Sequence, residues 1–262
     1  MKSSINKSIG IIGITGRMGK ALSATISNHK DYEVGLSYSH SQNPFVALSD
    51  VFQKNSYIID FSSSKFTKEI LYVANQNPKP LIICTTGWSM QNIKEDLICL
   101  KQKVPVVIAE NTSIGACIQR YFTGLLAKIL KNNYDISILE KHHRNKVDCP
   151  SGTALSLVQK IQSVQKRNNI KPAEPHFFIK EGSRPDNIIS MSVERSGNLS
   201  GEHNINFTNS KEMIAIKHIA FNHILFAEGA LKIVEWLDAI YPSSGIYTMT
   251  DVLGLRNIDL SD

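Results

Sequence analysis

Short apolar runs alternate with helical patterns along the first part of the chain. Ser8 to Ile12, Val34 to Tyr38, Tyr57 to Phe61, Pro80 to Cys84 and Val104 to Ala109 read as five strands. Between them, Arg17 to Asn28, Lys65 to Gln76 and Ser89 to Lys101 read as helices. The strand runs are apolar throughout, which suits strands buried on both faces of a parallel sheet. Strand–helix alternation of this kind predicts an α/β class, a Rossmann-like doubly wound domain.

The pattern changes from Ile114. Ile114, Cys117, Ile118, Phe122, Leu125, Leu126, Ile129 and Leu130 fall on one helical face, which predicts a helix burying that stripe. Tyr134 to Glu140 then alternates as a half-buried strand does, and Gly152 to Gln165 reads as a helix. Alternating runs at His176 to Lys180, Ile188 to Glu194, His203 to Thr208 and Met213 to His218 predict an antiparallel sheet with one face covered by helices. A long helix, Asn222 to Ile240, and a short tail end the chain. The expected organisation is a dinucleotide-binding domain (1–113), a central α+β domain (114–218), and a C-terminal segment (219–262) packing back on the first domain.

At 262 residues the chain has room for two cores. Its net charge of +6 lies in short clusters without interleaved aromatics, so neither nucleic acid nor membrane is expected as a partner. The four cysteines form no C-x-x-C pair, which fits a reducing compartment. The apolar run Ile9 to Ile14 is short and meets Arg17 at once, unlike a signal peptide. A cytoplasmic protein is expected.

Between the first strand and first helix stands G-I-T-G-R-M-G, with Gly13, Ile14, Thr15, Gly16, Arg17, Met18 and Gly19. Such glycines permit a tight turn and close approach to a pyrophosphate, and the helix N-terminus adds N–H groups and a positive dipole end. The second strand ends at Ser39-His40-Ser41, without the carboxylate that holds the ribose diol of NAD. These donors favour NADPH over NADH, or tolerance of both cofactors. Cys84-Thr85-Thr86-Gly87 and Ala109-Glu110-Asn111-Thr112 follow the fourth and fifth strands, where a cofactor runs in such a sheet.

The chemistry is expected in Glu140 to Ala154, E-K-H-H-R-N-K-V-D-C-P-S-G-T-A. His142, His143 and Lys146 are titratable donors within five positions, and Ser151-Gly152-Thr153 opens a helix suited to a carboxylate. Together they suggest a dianion pocket with a proton donor beside it. His142, His143 and Cys149 lack the spacing of a metal site, and no metal is expected.

This segment resembles the dihydrodipicolinate reductase (4-hydroxy-tetrahydrodipicolinate reductase) family, whose motif is E-x-H-H-x-x-K-x-D-x-P-S-G-T-A. The phosphate loop, T-T-G, the run R-x-G-x-x-x-G-E-H from Arg195 to His203, and H-x-A with F-A-x-G-A from His218 to Ala230 agree with it. The resemblance implies NAD(P)H-dependent reduction of a cyclic dicarboxylate with loss of water, in lysine and diaminopimelate biosynthesis, by a homotetramer built through the central sheet. It also implies that the C-terminal segment completes the Rossmann-like domain and that the central domain (114–218) is a substrate-binding and oligomerisation domain. By motif position it makes His142 a proton donor and acceptor and Lys146 a proton donor, with His143, Gly152 and Thr153 on the substrate carboxylate. Gly13 to Met18, Cys84 to Thr86 and Ala109 to Thr112 would line the cofactor. The chain departs from the family pattern at Cys84, Glu110 to Thr112, Ser39, His40 and His223, all cofactor positions, and at Cys149. Two rival readings are a different Rossmann-type oxidoreductase, which would need a nucleophilic cysteine or a Tyr-x-x-x-Lys pair, and a cofactor sensor without turnover.

Overall fold

In a computed structural model, residues 7–40, 46–177 and 182–258 are described. The chain forms two compact units: residues 1–114 with 223–262, and residues 115–222.

The first unit opens with β1 (Lys7–Ile12), α1 (Arg17–Ser27), β2 (Tyr32–Val34), α2 (Leu48–Lys54), β3 (Tyr57–Asp60), α3 (Thr67–Gln76), β4 (Leu81–Ile83), α4 (Met90–Leu100) and β5 (Pro105–Ile108). Their pairings are all parallel, in the order β5-β4-β3-β1-β2. The apolar strand runs go to the interior: Ile9, Ile11, Ile58, Ile59, Ile82 and Val107 are inaccessible to solvent. Helices cover the sheet, with Leu48, Val51, Phe52, Ile70, Leu71, Ile93 and Leu97 in its main core cluster. The sequence pattern missed α2, although Leu48, Val51 and Phe52 have helical spacing.

The second strand differs from the expected Val34 to Tyr38. It ends at Val34, and only Tyr38 returns to bridge Ile12. The reason is a side chain in the ladder. Ile11 N–H donates to Ser37 Oγ at 3.0 Å rather than to a carbonyl. The Asn55 amide takes the Leu36 carbonyl at 2.8 Å.

The second unit contains α5 (Ile114–Leu130, its first residue excepted), β6 (Asp135–His142), α6 (Gly152–Arg167), β7 (Glu174–His176), β8 (Ile188–Arg195), β9 (Gly201–Thr208) and β10 (Met213–Ala220). The strand expected to reach Lys180 is observed as β7, and residues 178–180 lie outside the described residues. The sheet order is β10-β9-β6-β8-β7. It is mixed, not antiparallel: β6 and β8 run parallel, as do β7 and β8, while β9 is antiparallel to β6 and β10. The helix α6 supplies the crossover that parallel pairing of β6 with β8 requires.

The stripe buried by α5 matches the expected one only in part: Leu126 and Leu130 pack against the core. Ala116, Gln119, Thr123, Gly124 and Ala127 are buried, while Ile118, Leu125 and Ile129 are exposed. Small residues let the helix approach closely, and the Lys160 stem lies where a Gly124 side chain would stand. The Gln119 amide donates to the carbonyls of His203 (2.7 Å) and Ile216 (2.9 Å), which an aliphatic stripe could not do.

The chain then returns to the first unit with α7 (Ile224–Ile240), β11 (Gly245–Thr248) and α8 (Met249–Val252). The strand β11, read in the sequence only as part of a tail, adds in parallel to the free edge of β5. Asp238 of α7 accepts from Tyr32 at 3.1 Å and Tyr57 at 3.0 Å and pairs with Lys7, which ties the helix to the start of the chain. Burial opposes ionisation of Asp238, but these donors hold its carboxyl below the usual range. Among the described residues no helix is long and apolar enough to cross a membrane.

Candidate active site

In the first unit the glycine loop joins β1 to α1. Gly13 has a φ of +89°, a conformation that side-chain-bearing residues rarely adopt. A Cβ on Gly19 would lie 2.2 Å from the Gly13 carbonyl oxygen, so the helix packs on the loop only through glycine. The helix α1 has no acidic residue in its first turn, leaving its positive end uncompensated there. Thr15 Oγ1 and Ser39 Oγ lie 2.7 Å apart, so Ser39 faces the loop. His40 stacks on Phe66, and its Nε2 is 3.5 Å from Glu69 Oε2. Ser41 lies outside the described residues.

A cavity of about 230 Å³ opens at the C-terminal ends of the strands. Arg17, Met18, Cys84, Ala109, Glu110 and Thr112 line it together with Phe61, His223 and Phe226. Six predicted cofactor positions from three separate loops thus meet at one cavity. Gly13, Ile14, Thr15 and Gly16 form the adjoining loop. Thr85 is buried against the Asp60 carbonyl, Thr86 is exposed, and Asn111 Oδ1 accepts the Ser113 N–H at 3.0 Å. Phe61 and Phe226 were missed as lining residues. Phe61 ends a strand-forming run at the proper edge, a usable sign; Phe226 comes from a distant helix, and nothing local marks it. Thr112 Oγ1 donates to the Phe226 carbonyl at 2.6 Å, which fixes that helix to the loop. Burial, with Asp60 nearby, pushes the Cys84 thiol well up, so it remains protonated and is a poor nucleophile.

The loop, the helix end and the cavity fit a nicotinamide nucleotide: the glycines leave backbone where a pyrophosphate needs close approach, and the cavity lies at the strand ends.

In the second unit the chemistry gathers at the end of β6. His142 closes the strand and is buried; His143 follows it, half-buried, with its N–H on the Leu199 carbonyl. Lys146 lies in the next loop with Nζ 2.8 Å from Asp148 Oδ1. Ser151 caps α6: its Oγ accepts the Ala154 N–H at 3.2 Å and lies 2.9 Å from His203 Nε2. Its hydroxyl therefore points into a buried network, while Gly152 and Thr153 form the first turn of the helix.

Glu140 stands at the centre of that network, wholly buried. Its Oε1 accepts from Ser151 N–H at 3.1 Å and Arg195 Nη2 at 2.9 Å. Burial alone raises its pKa, but the contacts with His142, Ser151 and Arg195 outweigh this and hold the carboxyl far below the usual carboxylate range. Burial, followed by the nearby His142, lowers His203 to about 4. The sequence placed Glu140, Arg195 and His203 in motifs without giving them roles. Strand register brings them together: Glu140 lies opposite His203, and His142 opposite Arg195.

A nucleotide loop on a parallel sheet in one unit, and a buried acid–base cluster in the other, define the class: a Rossmann-type, NAD(P)H-dependent oxidoreductase. Comparison with known proteins gives the family. "Dihydrodipicolinate reductase, N-terminus" matches residues 7–112 and "Dihydrodipicolinate reductase, C-terminus" matches residues 115–253. The chain is 40% identical over 91% of its length to a 4-hydroxy-tetrahydrodipicolinate reductase of Chlamydia abortus, covering 95% of that protein. It is 35% identical over 96% of its length to the enzyme of that name from Akkermansia muciniphila, covering 99% of it. A solved dipicolinate-bound dihydrodipicolinate reductase from Paenisporosarcina sp. TG-14 superposes with a TM-score of 0.74 at 22% identity, over 94% of this chain and 99% of that one. The chain belongs to the dihydrodipicolinate reductase family.

Proposed function

We propose that this chain reduces 4-hydroxy-tetrahydrodipicolinate, a cyclic dicarboxylate, to tetrahydrodipicolinate with loss of water, using NADPH or NADH. This is a step of diaminopimelate and lysine biosynthesis, carried out in the cytoplasm. The observation that carries the reading is the segment from Glu140 to Ala154. In a member of this reductase family, it gathers His142, His143, Lys146 and the start of α6 at one strand end. The dipicolinate named in the Paenisporosarcina structure is a ligand of the same chemical class.

The loop Gly13 to Met18 and the lining of the adjacent cavity would hold a nicotinamide nucleotide in the first unit, which would supply the hydride when bound. The remaining work belongs to side chains of the second unit. His143 and the first turn of α6, Gly152 and Thr153, hold a substrate carboxylate at the positive helix end. Ser151 acts through its cap, which sets the direction of that helix. Reduction of a conjugated imine leaves negative charge that needs a proton, which Lys146 donates, while His142 exchanges a proton with the substrate. The Asp148 carboxylate holds the Lys146 ammonium at 2.8 Å, and a substrate carboxylate competes for the same cation.

The absence of a carboxylate at Ser39 and His40 supports a preference for NADPH. The open face of the second sheet, with Leu139, Ser192, Asn204 and Asn206 alternating with buried neighbours, supports assembly as a homotetramer through that face.

The test is a coupled assay. The product of dihydrodipicolinate synthase is supplied fresh, and NADPH and NADH consumption are followed separately. Turnover with NADPH exceeding that with NADH is expected. Cofactor binding without turnover would make the protein a sensor instead.

A further inference from the structure

Glu140 and His142 each carry a buried polar atom satisfied by no other described residue. Glu140 Oε1 is engaged by Ser151 and Arg195, whereas Oε2 has no conventional hydrogen bond. His142 Nδ1 is likewise unpartnered, and it lies 3.3 Å from that Oε2. Two residues apart on one strand, the side chains share a face of the sheet. An unpaired polar atom in the interior is unfavourable, so a proton between the two is the arrangement that satisfies both. On its other side the imidazole rests against backbone: a Cβ on Gly201 would lie 3.0 Å from His142 Nε2.

We propose that Glu140 is a positioning residue for His142. Its carboxylate accepts the Nδ1–H, which fixes the neutral tautomer and leaves Nε2 as the nitrogen that takes up and returns the proton. When Nε2 is protonated, the same carboxylate faces the imidazolium and stabilises it. Arg195 and the Ser151 N–H keep Glu140 charged for this purpose. Gly201 keeps open the slot in which the ring lies. The proposal rests on the reading of His142 as the proton carrier.

The groups around the imidazole come from several elements: Glu140 on its own strand, Arg195 on β8, His203 on β9, and Lys146 and Asp148 on the following loop. Glu140, His142 and His203 also have the spacing of a three-ligand metal nest, and no ion is needed to explain it. The Arg195 guanidinium on the same carboxylate opposes a dication there.

The experiment compares the intact wild-type protein with Glu140→Gln by nitrogen-15 NMR of histidine and by steady-state kinetics across pH. Gln keeps the shape and removes the charge. In the wild type, the His142 ring carries its proton on Nδ1. In Glu140→Gln, the tautomers mix, and the pH limb of the kcat profile moves. The kcat falls about 100-fold, with KM changed less than twofold, and Glu140→Asp restores part of the loss. Gly201→Ala, which displaces the ring but keeps the carboxylate, lowers kcat without changing KM, and serves if Glu140→Gln does not fold. An unchanged tautomer and pH limb in Glu140→Gln overturns the proposal. So does an unchanged kcat in Gly201→Ala, or a stoichiometric zinc uptake by the wild type that Glu140→Gln abolishes. A wild type without turnover counts against the functional reading alone, because the NMR arm still decides the tautomer.

Discussion

The two units bind by different means. In the first, the candidate contacts are largely backbone: a glycine loop, a helix end and strand termini around a cavity. In the second they are side chains anchored to a buried carboxylate, each held by another. Backbone contacts tolerate exchange of side chains, whereas a charged network does not. This accounts for where the chain departs from the family pattern. Of the positions that differ, Cys84, Glu110, Thr112 and His223 line the cavity and Ser39 faces the glycine loop, while the segment from Glu140 to Ala154 departs only at Cys149, which is exposed.

The contrast can be tested by damage to each unit. The largest effect is expected in the second. Lys146→Ala should lower kcat by about 10²- to 10⁴-fold while cofactor affinity, measured by fluorescence titration, stays near normal. A matching loss of cofactor binding would end the separation of roles.

Next comes the pH response of the network. Folding lowers His203 from about 6.5 to about 4. The unfolded chain therefore binds a proton in that interval that the folded chain refuses. The stabilisation is complete above pH 6.5 and is lost as pH falls toward 4, by about 3 kcal/mol in all. Glu140, held low, loses its contribution only below the usual carboxylate range. Urea unfolding followed from pH 7 to 4 should show this slope in the wild type and a flatter one in His203→Asn. Equal slopes would remove His203 as its source.

In the first unit, Gly19→Ala forces the loop apart from the helix, because the new Cβ meets backbone rather than a flexible side chain. A loss of about 2 kcal/mol is expected, seen as a lower Tm and weaker NADPH binding, with the pH slope above unaltered. The smallest effect belongs to Ser39→Asp. A carboxylate facing Thr15 should weaken NADPH relative to NADH roughly tenfold, or about 1.4 kcal/mol. An unaltered ratio would mean that this side chain does not read the ribose phosphate.

The same contrast explains what the sequence made legible. Continuous apolar runs marked four of the five N-terminal strands, because each is buried on both faces. The exception, β2, ends early through Ser37 and Asn55, whose side-chain hydrogen bonds carry no periodic signature. In the second unit, hydrophobicity misled at α5. Its buried stripe is small and polar because Gln119 must reach two sheet carbonyls, and apolar residues are left outside. The parallel pairing of β6 with β8 was missed: alternation was read as an antiparallel sheet, because a half-buried strand alternates whichever way its neighbour runs. Local site segments were visible as motifs. The joining of Glu140 to Arg195 and His203 depends on strand register, which no local pattern encodes.

The edge pairing of β11 with β5 has a consequence for biosynthesis on the ribosome. The nascent chain displays the β5 edge while residues 115–222 are still being made, and its partner strand emerges only after them. The contacts of Asp238 with Lys7, Tyr32 and Tyr57 likewise wait until α7 has been made. A product released early, before residue 245, therefore keeps an unpaired parallel edge, the kind of surface that invites aggregation and chaperone capture.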